Sequence, residues 1–339
     1  MSYKEALSNL KSHQYTWLIT GAAGFIGSNL AEALIKLNQR VIAIDNFSTG
    51  YLHNIEEITR NFDAAEKKNF NFFEGDILDK NFLKSIFKDV DIVLHQAAIG
   101  SVVRSIEDPL ETCKNNIEGF LNTINQAKNS SVKSFVYASS SSVYGDSADL
   151  PSIEDKLGAC KSPYALSKLV NEMYADVFFT NYSFLSIGLR YFNVFGKRQD
   201  SDGAYAAVIP KWISRMIHNK QISIFGDGST TRDFCYMDNV VQMNILAGLS
   251  VFDKNMIFNV GTHSQISLKE LFDQLKLCLE ENLAIKYSLE PNFKNFRDGD
   301  ILHSLADVQL AKRYLGYSPT HDLREGLRES IDWYYRYLQ

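Results

Sequence analysis

The chain has 339 residues, 45% of them hydrophobic and 22% charged, which is enough apolar material for one large or two modest cores. A net charge of −5 gives no global attraction for nucleic acid or an anionic membrane surface, so any anionic ligand must be held by a local site and the expected partner is a small molecule. Met1 to Tyr15 is mixed polar sequence without the apolar run of a signal peptide, and no window is long and apolar enough to span a membrane, so a cytoplasmic protein is expected. Cys113, Cys160, Cys235 and Cys278 are scattered with no C-x-x-C pair, which fits neither a zinc site nor a disulfide framework; no metal is expected.

Short apolar runs alternate with stretches of helical period through the first half. "WLIT" is followed by "VIAID" (Val41 to Asp45), "FNFFEGD" (Phe70 to Asp76), "DIVLHQAA" (Asp91 to Ala98), "SFVYASS" (Ser134 to Ser140) and "FLSIGLRYFNV" (Phe184 to Val194). Strands buried on both faces read this way. Between them Gly27 to Leu37, Asn81 to Phe87 and Asn115 to Ala127 have helical spacing. The alternation predicts a Rossmann-like α/β fold, a doubly wound parallel sheet covered by helices on both sides. After Phe195 glycine-rich turns appear in "KRQDSDGAY" and "FGDGSTTRDF", with amphipathic helices near Pro210 to His218 and Leu268 to Glu280. Tyr236 to Leu249 and Met256 to Gly261 read as a helix and strand returning to the sheet. A smaller, discontinuous C-terminal α/β substrate domain is therefore expected. Residues 1–194 with about 234–262 form the nucleotide-binding domain, and about 195–233 with 263–339 the substrate domain.

Gly21, Gly24 and Gly27 follow the first strand and open a helix. A tight turn, close backbone approach to a pyrophosphate and close helix packing each exclude a side chain there, and the helix N-terminus supplies free N–H groups to phosphate. The spacing, G-x-x-G-x-x-G, is one residue longer at its first interval than the dinucleotide fingerprint. Asp45 ends the next strand, 18 residues after Gly27, where a carboxylate accepts hydrogen bonds from ribose hydroxyls and repels a 2′-phosphate. No Arg or Lys adjoins it in "DNFSTG", so NAD is expected rather than NADP. A turn or helix-cap aspartate is the plainer reading of Asp45. "GDI" ends the third strand and can place Asp76 and Ile77 near the adenine.

"SPYALSK" holds Tyr164 and Lys168 four residues apart, on one helix face. A tyrosine of ordinary pKa, about 10, is a poor base at neutral pH, but a neighbouring ammonium stabilises its phenolate. The same spacing also occurs on solvated helix faces; what distinguishes it here is "SSSSVYG" (Ser139 to Gly145), a hydroxyl run at a strand's carboxyl end, where ligands of parallel sheets bind.

The glycine turn, Asp45, "HQAA" at His95 to Ala98, "SSSSVYG", "PYALSK" and "RYFNVFG" (Arg190 to Gly196) occur in order, and together they resemble the extended short-chain dehydrogenase/reductase family, specifically its nucleotide-sugar 4-epimerases. The resemblance implies that Tyr164 is the base and acid and that Lys168 binds the nicotinamide ribose and depresses the tyrosine pKa. It puts the catalytic hydroxyl at Ser140, with Ser141 as a second candidate. Dehydratases of similar pattern carry Thr-Asp-Glu where this chain has Ser140, Ser141 and Ser142, so elimination lacks its carboxylates. The implied reaction removes the proton of the sugar 4-hydroxyl while C4 passes hydride to NAD, turns the 4-keto sugar about its diphosphate link, and returns hydride to the other face.

Further positions follow from the same resemblance. Phe25 and Ile26 join the glycine turn around the cofactor; Asn46, Phe47, Ser48, Thr49 and Gly50 follow Asp45; Gln96, Ala97, Ala98, Asn116 and Tyr191 complete the cofactor set. Arg232 and Arg297 match the arginines that hold the substrate diphosphate, and Asn193 a sugar-phosphate contact; for Arg297 in "RDGD" a surface ion pair is the plainer alternative. The residue seven beyond the second arginine borders the sugar 2-substituent, and here it is Ser304, small enough to admit an acetamido group. Gly100, Ser101, Gln199 and Ala207, with Val208 and Lys211 behind them, resemble the subgroup that prefers N-acetylated sugars. The expected activity is interconversion of UDP-N-acetylglucosamine and UDP-N-acetylgalactosamine, in a homodimer whose helices at Asn115 to Ala127 and Tyr164 to Phe179 form the interface. A UDP-glucuronate or UDP-glucose 4-epimerase, and a non-catalytic NAD-binding regulator, are the alternatives.

Overall fold

The apolar runs form strands β1 (Thr16–Thr20), β2 (Arg40–Asp45), β3 (Phe70–Glu74), β4 (Ile92–His95), β5 (Ser134–Ser140) and β6 (Ile187–Tyr191). These come from a computed structural model, which describes residues 1–201, 207–296 and 302–338. Four short strands, β7 (Val194–Phe195), β8 (Ser223–Phe225), β9 (Thr231–Arg232) and β10 (Cys235–Tyr236), precede β11 (Met256–Val260); β12 (Ile266–Ser267) and β13 (Asn292–Lys294) follow. The main sheet runs β3-β2-β1-β4-β5-β6-β11 and every pairing is parallel. Its order reverses between β1 and β4, and at such a switch point the carboxyl ends of the strands part to leave a crevice.

Alternation along β1 shows how the sheet is covered. Trp17 and Ile19 enter one apolar layer and Leu18 the other, all with no exposed surface. The helices over these faces are α1 (Tyr3–Ser12), α2 (Phe25–Lys36), α3 (Leu52–Arg60), α4 (Ala64–Asn69), α5 (Lys80–Ile86), α6 (Val102–Glu107), α7 (Pro109–Cys113), α8 (Gly119–Asn129) and α9 (Pro163–Tyr182). The later ones are α10 (Val208–Ile217), α11 (Met237–Leu249), α12 (Leu268–Leu283), α13 (Gln309–Leu315) and α14 (Leu323–Tyr337). The returning helix and strand are α11 and β11, which puts β11 on the sheet edge beside β6.

Met1 to Tyr15, mixed polar in sequence, contains α1, started by a capping box between Ser2 and Glu5 and held down by two buried side chains, Ala6 and Leu10. Two local expectations are corrected. The strand expected over Phe184 to Val194 is two pieces, Ile187–Tyr191 and Val194–Phe195. The helix expected over Asn115 to Ala127 opens as a π turn, Lys114–Glu118, and becomes α-helical at Gly119. The wider turn shifts the side-chain register: Asn115 faces the crevice, and Asn116 turns inward to bond both the amide and carbonyl of Ile99 at 2.8 and 3.2 Å.

A buried ion pair joins the sheet to α9. Arg190 on β6 donates from Nε and Nη2 to the two carboxylate oxygens of Glu172 at 2.9 and 2.8 Å, with both side chains almost wholly excluded from solvent. Ser139 Oγ donates to the same carboxylate at 2.5 Å. Arg190 Nη1 bonds Tyr144 Oη and the Glu154 carbonyl, and Tyr144 in turn donates to Asn259 Oδ1 at 2.6 Å. Removing one partner leaves the other charge buried, which costs about 3–5 kcal/mol. Glu172→Ala is expected to lower unfolding free energy by roughly that amount in urea denaturation, with Glu172→Ala/Arg190→Met recovering part of the loss.

Candidate active site

The glycine turn sits at the switch point. Gly21 has φ +70°, a left-handed conformation that a side chain disfavours, and a Cβ on it would meet the Ala97 backbone at 2.8 Å. A Cβ on Gly27 would lie 2.1 Å from the Gly21 carbonyl oxygen, so the first turn of α2 closes only on glycine. Gly24 is the N-cap of α2 and offers no side chain to the helix amides, which stay available to an anion with the positive end of the helix dipole behind them.

Asp45 is buried, and burial pushes its carboxyl up while backbone amides hold it down. Oδ2 accepts from the Ala23 amide at 2.9 Å and Oδ1 from the Phe47 amide at 2.8 Å. Asp45 thus braces the glycine turn against the end of β2 as well as facing the crevice. On the other side of the switch point Thr20 Oγ1 shares a proton with His95 Nδ1 at 2.9 Å and accepts from the Ala97 amide at 3.1 Å. His95 is packed against Phe120 and Phe135, and burial lowers its pKa to about 3, so it stays neutral and serves as a brace.

The crevice encloses about 840 Å³. Its walls include Gly21, Gly24, Phe25, Ile26 and Gly27 from the turn, Asp45 to Gly50 after β2, and Ile77. Gln96, Ala97, Ala98, Gly100, Ser101, Gln199 and Ala207 line the other side, so most of the expected cofactor positions and four expected sugar positions face one space. Asp76 does not line it, because its carboxylate is turned to Asn46 Nδ2 and the Leu78 amide. Tyr191 stands behind Gln96, bonding Gln96 Oε1 at 3.1 Å and Asn244. Val208 and Lys211 lie on the first turn of α10, outside the lining, while Ala207, its N-cap, is within it.

Tyr164 and Lys168 lie on the first two turns of α9, which begins with Ser162 as N-cap and Pro163 at the first position. They stand beside the end of β5 and outside the cavity lining; Asn116 Nδ2, 3.1 Å from Ser167 Oγ, links the two regions. Burial raises the Tyr164 pKa, and a hydrogen bond from Ser140 opposes it. Ser140 Oγ accepts from the Ser142 amide at 3.2 Å and from Ser142 Oγ at 2.9 Å, which leaves its own proton for another acceptor. Of the two serine candidates it is Ser140 that acts to lower the Tyr164 pKa.

Lys168 is 3% exposed, and burial lowers its pKa to about 8, against an opposing pull from Glu172. Its Nζ donates to the Ala138 carbonyl at 2.8 Å and lies 5.9 Å from the centre of the Tyr164 ring. The ammonium is thus fixed to the end of β5 beside the Tyr164 ring, and the hydroxyl of Ser140 acts to lower the phenol pKa. The dipole at the start of α9 also favours a phenolate at the second helical position.

Asn193 Nδ2 bonds the Asp233 carbonyl at 3.3 Å. The Arg232 guanidinium bonds the carbonyls of Thr231 and Leu302, which brings half-buried Ser304 close to β9, and Arg297 lies outside the described residues. Sequence reasoning missed Asp233, fully buried, whose carboxylate accepts from Thr262, His263 and Ala306 and so ties the strand bearing Arg232 to the segment bearing Ser304. It missed Arg198 as well. This arginine has φ +67°, is 4% exposed, and bonds Ser28, Asn29, Glu32 and Glu57. Glu32 is held down to about pKa 2, its burial outweighed by the guanidinium. Two residues later Tyr51 Oη donates to Asp200 at 2.7 Å across the crevice.

The sequence profile of the NAD dependent epimerase/dehydratase family matches residues 17–261. The chain belongs to that family. Its cofactor is NAD, and the glycine cradle, the uncapped start of α2 and the buried Asp45 fit a dinucleotide. This family member is 34% identical over 346 residues to UDP-glucuronate 4-epimerase 4 of Arabidopsis thaliana, covering 95% of this chain and 76% of that protein. It superimposes on the UDP-glucose 4-epimerase of Thermotoga maritima, solved with UDP-glucose, at TM-score 0.86 and 34% identity over 96% of this chain and all of that one. A UDP-N-acetylglucosamine 4-epimerase from Methanobrevibacter ruminantium M1, in complex with UDP-N-acetylmuramic acid, matches at TM-score 0.86 and 35% identity over 95% of this chain and 99% of that one.

A lysine whose folded pKa of about 8 lies below the unfolded value near ~10.4 destabilises the fold where it is charged, below pH 8, and the penalty disappears as pH rises towards the unfolded value. Lys168→Met is expected to melt at or above the wild-type temperature at pH 7, with the difference shrinking between pH 8 and 10 in thermal scans.

Proposed function

We propose that the protein is a UDP-sugar 4-epimerase acting on UDP-N-acetylglucosamine and UDP-N-acetylgalactosamine. The observation that carries this reading is the placement of Tyr164 and Lys168 on one face of α9 beside the end of β5, with Lys168 Nζ bonded to the Ala138 carbonyl at 2.8 Å and 5.9 Å from the centre of the Tyr164 ring. Bound NAD supplies a reversible acceptor for the hydrogen on the sugar C4, so that a transient 4-keto sugar can be reduced again on its other face. Tyr164 takes the proton of the 4-hydroxyl and later returns it. Ser140 stabilises the phenolate in between and orients the 4-oxygen. Buried Lys168 holds positive charge nearby at neutral pH and is positioned by the Ala138 carbonyl. Arg232 meets the substrate diphosphate, and Ser304 leaves room for an acetamido group.

Purified protein incubated with UDP-N-acetylglucosamine and no added cofactor is expected to form UDP-N-acetylgalactosamine, seen by NMR. Tyr164→Phe should lower kcat by about 10²–10⁴-fold without loss of bound NAD. If the phenol variant turns over as fast as wild type, the assigned chemistry is wrong. Ser304→Tyr is expected to raise KM for the acetamido sugar more than for UDP-glucose.

The reading includes a homodimer. α9 exposes Leu166, Met173, Val177 and Tyr182, and α6 and α7 expose Ile106 and Leu110, an apolar face suited to pairing with its own copy. α8, expected to contribute, presents no large exposed apolar side chain. Light scattering should give twice the chain mass, and Leu110→Asp/Val177→Asp should give the monomer.

A further inference from the structure

The end of β5 and one face of α9 meet residue by residue. Ala138, Ser139 and Ser140 are consecutive on the strand, and each is engaged from a different turn of the helix. Lys168 Nζ donates to the Ala138 carbonyl at 2.8 Å, Glu172 accepts from Ser139 Oγ at 2.5 Å, and Ser140 acts on the Tyr164 phenol. Lys168 and Glu172 stand four residues apart on one helix face, where opposite charges attract. Both are buried, and a charge shielded from water is costly to keep unless an opposite charge lies near it.

The groups around Lys168 leave that task to Glu172. His95 on β4 is neutral, its pKa pushed down to about 3 by burial and by the Lys168 ammonium. Tyr137 on β5, Tyr144 beyond its end and Tyr164 on α9 keep their protons, because burial raises all three phenols. Arg190 on β6 is a cation, bound to Glu172. Arg104 on α6 and Glu111 on α7 pair with each other, while Glu107, Lys114, Glu118 and Asp176 are exposed to water. Lys128 on α8 lies over the Tyr182 ring at the far end of α9. Burial brings Lys168 down to about 8, and the Glu172 carboxylate is what opposes it.

We propose that Glu172 is a positioning residue for the reaction, which keeps Lys168 a cation at the end of β5 while Ser139 and Arg190 hold the carboxylate in place. The inference rests on the epimerase reading and deepens it. Glu172 lies outside the crevice lining and acts through Lys168.

The test follows the charge of Lys168 directly, and the reaction beside it, in the NAD-bound protein. In carbon NMR with labelled lysine side chains, the resonance that is lost in Lys168→Met should titrate near pH 8 in the wild type and about half a unit to one unit lower in Glu172→Gln. The ratio of variant to wild-type kcat on UDP-N-acetylglucosamine should then fall by roughly twofold to fivefold between pH 6 and pH 8, with KM little changed, and Glu172→Asp, which restores the charge, should recover part of the fall. A packing role alone would lower kcat by one factor at every pH. If Glu172→Gln does not fold, Glu172→Gln/Arg190→Met, which leaves no buried charge without its partner, is measured in the same way. A lysine that titrates at the wild-type pH in the folded variant overturns the proposal. So does a shifted lysine with a kcat ratio that is level across pH, since the charge then has no part in the reaction. If the lysine shifts and no UDP-sugar is epimerised, the epimerase reading fails and the hold of Glu172 on Lys168 stands.

Discussion

The pairing of Arg190 with Glu172 is the constraint on which the rest of the site depends. Two charges with almost no access to water hold β6 against α9, and Ser139 adds the end of β5 to the same carboxylate. Tyr164, Lys168 and Glu172 follow one another at intervals of four on α9, so fixing the last of them fixes the face carried by the first two. The hydroxyls of Ser140 and Tyr164 thus come from two elements with a common anchor. Such a pair adds little net stability over a packed apolar core, and its value lies in admitting only one alignment of strand and helix.

Electrostatics in this acidic chain is local. The start of α2 is open to an anion without a capping side chain, the start of α9 lies beneath the Tyr164 phenol, and both helices put their positive ends at the carboxyl edge of the sheet. Neutral groups complete the frame. His95 is kept uncharged by burial, and Thr20 fastens the strand end beside it.

Much of this was legible in the residues alone. The parallel sheet covered by helices, the glycine turn and the Tyr164–Lys168 face follow from short-range patterns of burial, backbone freedom and helical spacing. What escaped notice acts at long range. Glu172 could have been picked out as a charge two turns after Tyr164 on a buried face, but its partner lies 18 residues away on another element. Asp233 and Arg198 stand in polar, glycine-rich turns with no local pattern to mark them, and only the folded chain surrounds them with donors or acceptors. The π turn at Lys114–Glu118 has no propensity signature, and the tilt of Lys168 towards Ala138 is decided by a carbonyl on a different strand.

The segment around Arg198 has a consequence for the crevice. It is nailed to α2, the helix that opens at the glycine turn, by a guanidinium with four partners, and Asp200 reaches over to Tyr51 on the far bank. The Arg198 anchor and the Tyr51–Asp200 bond thus join the helix that opens at the glycine turn to the opposite wall of the crevice, and the width of the crevice is set by bonds that water hardly reaches.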